Sequence, residues 1–115
     1  MIEYDVQLRY PTALSAELRE WLAGHVQEML CLPGFLGATV MSEEALEPEP
    51  PSHEGLCVRY RLHDHLALQH YLREYAPQMR ARLPVAFVGQ VHLERRVWAE
   101  LVEMLAPEAP AEAGS

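Results

Sequence analysis

The stretch HDHLALQH, residues 63–70, places three of the chain's six histidines within eight positions. Histidine is a common metal ligand and a general acid or base near neutral pH, so this cluster could form a metal or proton-transfer site. A zinc site on a helix needs ligands at i and i+4. His65 and His70 are five residues apart, about 140° around a helix. The spacing therefore predicts no metal site, but a strand-to-helix junction with Asp64 as N-cap and His70 facing solvent.

A different histidine, His25, falls within an apolar pattern at helical spacing. A polar side chain in such a pattern needs a hydrogen-bond partner. His25 is therefore either a structural histidine at the edge of the core or a proton carrier facing a pocket. Glu28 lies within reach on the same helix, and pairing with it would either favour a charged imidazole or act as a structural clamp. His25 and His92 are the two candidate catalytic residues.

The elements that position these residues follow from periodicity. Strict alternation predicts strands over 2–10 and 56–63 and within 88–98, and a mostly buried strand over 35–44. Gly37 in that strand indicates a bulge or a close approach. Helical spacing predicts a helix with Ser15 as N-cap that ends at Pro33-Gly34, and a second helix through residues 68–79 that Pro77 kinks or restarts. This order predicts a ferredoxin-like βαββαβ fold of the α+β class, with a four-stranded antiparallel sheet and both helices on one face.

The opposite face of the predicted sheet is polar. Guanidinium groups match carboxylates, so Arg59, Arg61 and Arg96 are the candidate residues for binding an anionic ligand. The alternative is that Asp5 and Glu94 neutralise these arginines across the sheet. Cys57 on the same face would be a nucleophile only beside a group that lowers its pKa. The full set on this face is Asp5, Gln7, Arg9, Cys57, Arg59, Arg61, His63, His92, Glu94, Arg96 and Trp98.

Composition limits the class of protein. With 115 residues, half of them hydrophobic, the chain is expected to form one domain over 1–103, with a flexible acidic, proline-rich loop at 43–54 and a disordered tail at 104–115. A net charge of −8 argues against nucleic-acid and anionic-membrane partners. The absence of a signal-peptide pattern, and two cysteines outside any ligand spacing, predict a reduced, cytoplasmic protein with no metal or cofactor.

Several stretches carry a family resemblance: YDV at 4–6, WLAGHVQEMLCLPGF at 21–35, YLREYAPQMR at 71–80 and FVGQVHLERRVWAEL at 87–101. In these the chain resembles the bacterial domain-of-unknown-function family numbered 4286. The resemblance implies a ferredoxin-fold relative of the dimeric α/β-barrel proteins and a homodimer, but it implies no activity.

Three functions fit these features. The first is a homodimer, joined through the open sheet face, that acts as a ligand-binding or accessory module for a small molecule. The second is a cofactor-independent oxygenase or isomerase acting on a small, anionic molecule, which fold-level analogy alone supports. The third is a purely structural partner of another protein.

Overall fold

The structure, a computed structural model, describes residues 1–46 and 52–108. In chain order the elements are β1 (Ile2–Pro11), α1 (Ser15–Leu30), β2 (Phe35–Ser42), β3 (His53–Leu62), α2 (His65–Glu74), α3 (Ala76–Arg80) and β4 (His92–Ala99). Short 3₁₀ turns at Thr12–Leu14 and Val85–Phe87 connect them.

The strands form one antiparallel sheet in the order β2-β3-β1-β4. The two central strands are therefore the first and third in the chain, and the ferredoxin-like fold predicted from the sequence is confirmed. In the pairing of β1 with β3, Tyr4 lies opposite Tyr60 and Asp5 opposite Arg59. This register keeps the apolar residues of both strands on one face.

The helices pack on that apolar face and enclose the core. Its buried side chains come from the alternate positions of β1 and β3 and from the apolar sides of α1, α2 and α3, as the periodicity predicts, and also from the segment between α3 and β4. Fully burying a side chain such as Leu or Val contributes roughly 1.5–3 kcal/mol, so this core is the main source of stability. The buried residues are Ile2, Tyr4, Leu8, Tyr10, Leu18, Leu22, Val26, Met29, Leu56, Val58, Tyr60, Leu62, Leu68, Tyr71, Ala76, Met79, Phe87 and Val91.

Several helix and strand ends differ from the prediction. Ser15 is the first residue of α1 and not its N-cap, because a 3₁₀ turn precedes it and its hydroxyl donates instead to Glu54 Oε2 at 2.7 Å. Residues 53 and 54, expected in the acidic loop, belong to β3. The predicted loop also includes residues 47–51, which lie outside the described residues. The predicted restart at Pro77 is confirmed, since Pro77 occupies the first turn of α3.

Two glycines mark close approaches. At Gly37 the register of β2 against β3 shifts, and an added Cβ atom would collide with the Arg61 guanidinium, so the predicted bulge and close approach are both present. Gly34, between α1 and β2, has a φ of +85°, and a Cβ atom there would lie 2.5 Å from the Cβ of Ala67.

Beyond β4, residues 100–108 have no regular secondary structure, and we call them the C-terminal arm. Four of its apolar side chains, Leu101, Val102, Met104 and Leu105, are between 63% and 96% exposed. The predicted disordered tail begins within this arm, at residue 104, and its residues 109–115 lie outside the described part of the chain.

Candidate functional site

A narrow cleft lies between the helices and the apolar face of the sheet. Its wall on the helix side includes Trp21 and His25 from α1 and Arg80 from α3, and its floor includes Tyr4 from β1 and Arg95 from β4. The cavity volume is about 50 Å³. One buried water needs a cavity volume on the order of 10–15 Å³. The cleft therefore holds a few waters or one small chemical group without rearrangement.

His25 is half-buried in the wall of this cleft. Its ring stacks on Trp21, with the ring centroids 4.6 Å apart and the planes 18° from parallel. Burial, and then the positive charge of Arg82, lower the pKa of His25 from its ordinary value of 6.5. A neutral imidazole at pH 7 can accept a proton from a bound molecule.

The partner expected for His25 is engaged elsewhere. Glu28 forms an ion pair with Arg82, which approaches from the segment after α3. Glu28 is therefore not the charged group that acts on His25, since that charge is the positive one of Arg82.

Two arginines also line the cleft. Arg80 donates to the Tyr4 hydroxyl at 3.4 Å, and Arg95 projects from the same face of β4 as Leu93 and Val97. Within residues 1–46 and 52–108, no Asp or Glu lies within ion-pairing distance of either arginine, and none lines the cleft. In a chain with 17 acidic residues, this is an unusual concentration of unneutralised positive charge.

Tyrosine hydroxyls lie beside these charges. Burial and the neighbouring Tyr4 raise the pKa of Tyr71 to about 12, while Arg80 and Arg95 act in the opposite direction. The Tyr71 hydroxyl donates to Met29 Sδ at 3.6 Å. Tyr71 therefore stays protonated at neutral pH, and a hydroxyl can donate to a bound acceptor.

On the open face of the sheet, Asp5 is fully buried. Its carboxylate accepts two hydrogen bonds from Arg59, both at 2.9 Å, and one from Trp98 Nε1 at 2.8 Å. Arg59 also lies 3.1 Å from Glu3. These carboxylates neutralise Arg59 and raise its pKa above the ordinary value.

The other two arginines predicted to bind an anion also have partners on this face. Arg61 donates to Thr39 Oγ1 at 3.1 Å, and Arg96 donates to Glu94 Oε2 at 3.3 Å. His92 lies 3.4 Å from the same Glu94. The alternative interpretation, neutralisation by Asp5 and Glu94, therefore describes Arg59 and Arg96, whereas Arg61 is held by a neutral hydroxyl.

An open groove of about 460 Å³ crosses this face, lined in part by Cys57, Arg59, His92 and Glu94. Of the candidate site residues on this face, Arg59 and His92 line the groove, whereas Arg61 and Arg96 do not. Burial, and then the negative charge of Asp5, raise the pKa of Cys57. The thiol therefore stays protonated at neutral pH, which argues against its use as a nucleophile.

The stretch HDHLALQH forms the predicted junction. The Asp64 carboxylate caps α2 by accepting from the Ala67 N–H at 2.8 Å. His70 is half-buried, with its ring edge against Tyr75 at a centroid distance of 5.5 Å, and not simply solvent-facing as expected. Among the described residues there is no group of three or more His, Cys, Asp or Glu side chains that could hold a metal ion.

Arg80, Arg95 and the hydroxyls of Tyr4 and Tyr71 line the cleft but were not among the residues predicted from the sequence. The sequence did contain a signal for Arg95, because it alternates with Leu93 and Val97 in β4 and therefore lies on the apolar face of that strand. Arg80 carried no such signal. Its place at the cleft shows only in the tertiary structure, where it donates to the Tyr4 hydroxyl.

The sheet order and the helices on one face define a protein with a ferredoxin-like fold. A candidate antibiotic biosynthesis monooxygenase from Deinococcus radiodurans superimposes with a TM-score of 0.61 at 17% identity, covering 92% of this chain and 100% of that one. A variant of SnoaB, a cofactor-independent oxygenase from Streptomyces nogalater, gives 0.61 at 14% identity, with coverages of 90% and 96%. A variant of MhuD, with two manganese protoporphyrin IX molecules bound per active site, gives 0.63 at 15% identity, with coverages of 92% and 100%. At these identities the likeness shows the fold alone.

The amino-acid sequence identifies the family to which the chain belongs. Residues 1–101 match the model of the family described as domain of unknown function, DUF4286, and the chain belongs to that family. Among curated proteins, none matches the chain. No helix in the described ranges is long and apolar enough to cross a membrane.

Proposed function

We propose that the protein is a homodimeric cytoplasmic module that binds a small molecule in the cleft between its helices and its sheet. The observation that carries the proposal is the lining of the cleft, where His25, two arginines and tyrosine side chains interrupt an otherwise apolar wall. A concave, mostly apolar site with a few converging polar groups is typical of a small-molecule site. Two unpaired cysteines, Cys31 and Cys57, fit a reducing compartment.

The open face of the sheet supports self-association. Trp98 is 47% exposed there, beside the neutralised pair of Asp5 and Arg59. Because Arg59 and Arg96 are paired with carboxylates on this face, a second copy could cover most of its charge without leaving it unpaired. A twofold dimer needs such a self-complementary face.

Native mass spectrometry of freshly purified protein tests both parts of this proposal. We expect twice the chain mass of 13.1 kDa, together with the added mass of a retained small molecule. Leu83 lines the cleft and Val85 is exposed outside it. Leu83→Trp should therefore abolish retention, whereas Val85→Trp, the matched control, should preserve it.

The homodimer and the ligand-binding cleft can fail independently in this experiment. A monomer at micromolar concentration overturns the homodimer and favours another protein as the partner of the open face. An adduct that Leu83→Trp leaves in place overturns the cleft as the binding site.

A second candidate function is a cofactor-independent oxygenase or isomerase. One observation favours it, namely that His25 is held neutral inside the cleft, as a general base requires. If this is correct, the small molecule that is retained on purification is the substrate. The unaltered protein should convert it, whereas His25→Phe should bind it without converting it. Conversion at an unchanged rate by His25→Phe would exclude His25 as the base.

A further inference from the structure

The cleft contains more positive charge than a neutral ligand would require. Arg80 and Arg95 are both exposed at its edge, one on the helix side and one on the sheet side. Among the described residues no carboxylate pairs with either one. Of the other seven arginines, Arg61 donates to the Thr39 hydroxyl. The remaining six each lie within ion-pairing distance of an acidic side chain: Arg9, Arg19, Arg59, Arg73, Arg82 and Arg96.

Two guanidinium groups without a counter-ion repel each other and favour an anion between them. Arginine forks bind carboxylates through paired, charge-assisted hydrogen bonds. The hydroxyls of Tyr4 and Tyr71 lie beside the same charges, as their effects on Tyr71 and the contact from Arg80 show. Hydroxyl donors and guanidinium groups together suit an oxyanion.

The rest of the cleft is apolar and aromatic. Trp21 forms an edge-to-face contact with Phe87 and stacks on His25, and Leu83 and Leu93 complete this part of the wall. An aromatic surface of this kind suits a planar ring. The cavity of about 50 Å³ is smaller than a ring, so the exposed side chains at the edge must move when a ring enters.

We infer that the cleft binds an aromatic carboxylate, with its ring against Trp21 and Leu93 and its carboxylate between Arg80 and Arg95. This inference rests on the proposed small-molecule site and adds the chemical class of the ligand. It also moves the anion site from the open face, where Arg59, Arg61 and Arg96 were expected to form it, to the helix side of the sheet.

Benzoate and its neutral counterpart benzamide test the inference. The chain has two tryptophans, so the indole N–H signal of Trp21 in a ¹H–¹⁵N spectrum can be assigned by its loss in Trp21→Phe. Titration should shift this signal saturably, and benzoate should bind at least about tenfold more tightly than benzamide, since charge-assisted hydrogen bonds are roughly twice as strong as neutral ones.

Three arginine variants locate the charge that recognises the probe. Arg95→Gln and Arg80→Gln should each weaken benzoate binding about tenfold and leave benzamide binding unchanged. Arg73→Gln is the control for the change in net charge, because Arg73 lies on the exposed side of α2, paired with Glu74. It should bind both probes as the unaltered protein does.

The possible failures are distinguishable. If benzoate and benzamide bind equally, the carboxylate class is wrong while the small-molecule site stands. If Arg96→Gln weakens benzoate binding more than Arg95→Gln, the anion site lies on the open face. If neither probe shifts the Trp21 signal, both the inference and the proposed cleft site are overturned.

Discussion

Asp5 is the one fully buried charged residue among those described, and three hydrogen bonds hold its carboxylate. An unpaired carboxylate in such a place would cost several kcal/mol. Hydrogen bonds from Arg59 and Trp98 therefore replace those that water would donate to an exposed carboxylate. Because they come from β3 and β4, on either side of β1, the carboxylate also ties three strands together.

Asp5→Asn should destabilise the fold by about 2–3 kcal/mol, because it removes the charge that strengthens all three hydrogen bonds. The loss stays below that of a fully buried ion pair, since the Arg59 side chain is 39% exposed. Urea unfolding measures the change. Glu43→Gln, which breaks the exposed pair with Arg9, is the control and should cost less than about 1 kcal/mol. Equal losses for the two variants would contradict the role assigned to Asp5.

His25 should make stability depend on pH. Burial and Arg82 lower its pKa below 6.5 in the folded chain, so the unfolded chain binds a proton more readily. The free energy of unfolding should therefore decrease as the pH falls below about 6.5. His25→Phe keeps a ring against Trp21 but does not titrate. Unfolding measured at pH 7.5 and pH 5.0 should show a smaller decrease for the variant, and an identical decrease would refute the shifted pKa.

At the scale of elements, the two glycine substitutions in and after α1 should have opposite signs. Gly34→Ala should destabilise the protein by about 1–3 kcal/mol, because its φ of +85° disfavours a side chain and the new Cβ atom would meet Ala67. Gly24→Ala, in the interior of α1 with nothing within 4 Å of the new atom, should stabilise by about 0.5–1 kcal/mol. Thermal unfolding of both variants checks the pair, and destabilisation by Gly24→Ala would be contrary to expectation.

The elements themselves were predictable, since alternation and helical spacing are properties of the chain alone. The end of the acidic loop and the start of α1 were not. The first depends on the pairing of His53 with Pro11 of β1, and at the second the Ser15 hydroxyl donates to Glu54 instead of capping the helix. Only part of the cleft could be predicted. His25 was identifiable as a polar residue within an apolar pattern, but the hydrogen bond from Arg80 to Tyr4 links residues 76 positions apart. No local pattern reports such a contact.

At the scale of the whole molecule, the sheet separates two surfaces. The helix side contains the cleft, and the open side contains the paired charges and Trp98. The C-terminal arm leaves the end of β4, next to Ile2, and exposes its apolar side chains. Exposed apolar surface of this kind marks a contact with another molecule, and the partner copy in the proposed homodimer is the nearest candidate.

Removal of residues 100–115 should weaken the dimer. Burying apolar side chains such as Leu101 and Met104 in the partner would contribute roughly 1.5–3 kcal/mol each, so their loss should raise the dimer dissociation constant at least about tenfold. Light scattering across a dilution series measures it. Removal of residues 109–115 alone keeps the arm and is the control, which should leave the constant unchanged. A dimer equally tight in both truncations would show that the arm takes no part in association.

The strict alternation of β1 has an evolutionary consequence. Asp5 belongs to the proposed association surface and its neighbours Tyr4 and Val6 line the proposed ligand cleft, so on this proposal successive residues of one strand serve different tasks on opposite sides of the sheet. Substitutions that adjust one task should add almost independently to those that adjust the other. Insertion of a single residue into β1 is different, because it exchanges the two sets of side chains and removes both functions in one step. Selection can therefore tune ligand and partner separately by substitution, but not by changing the length of this strand.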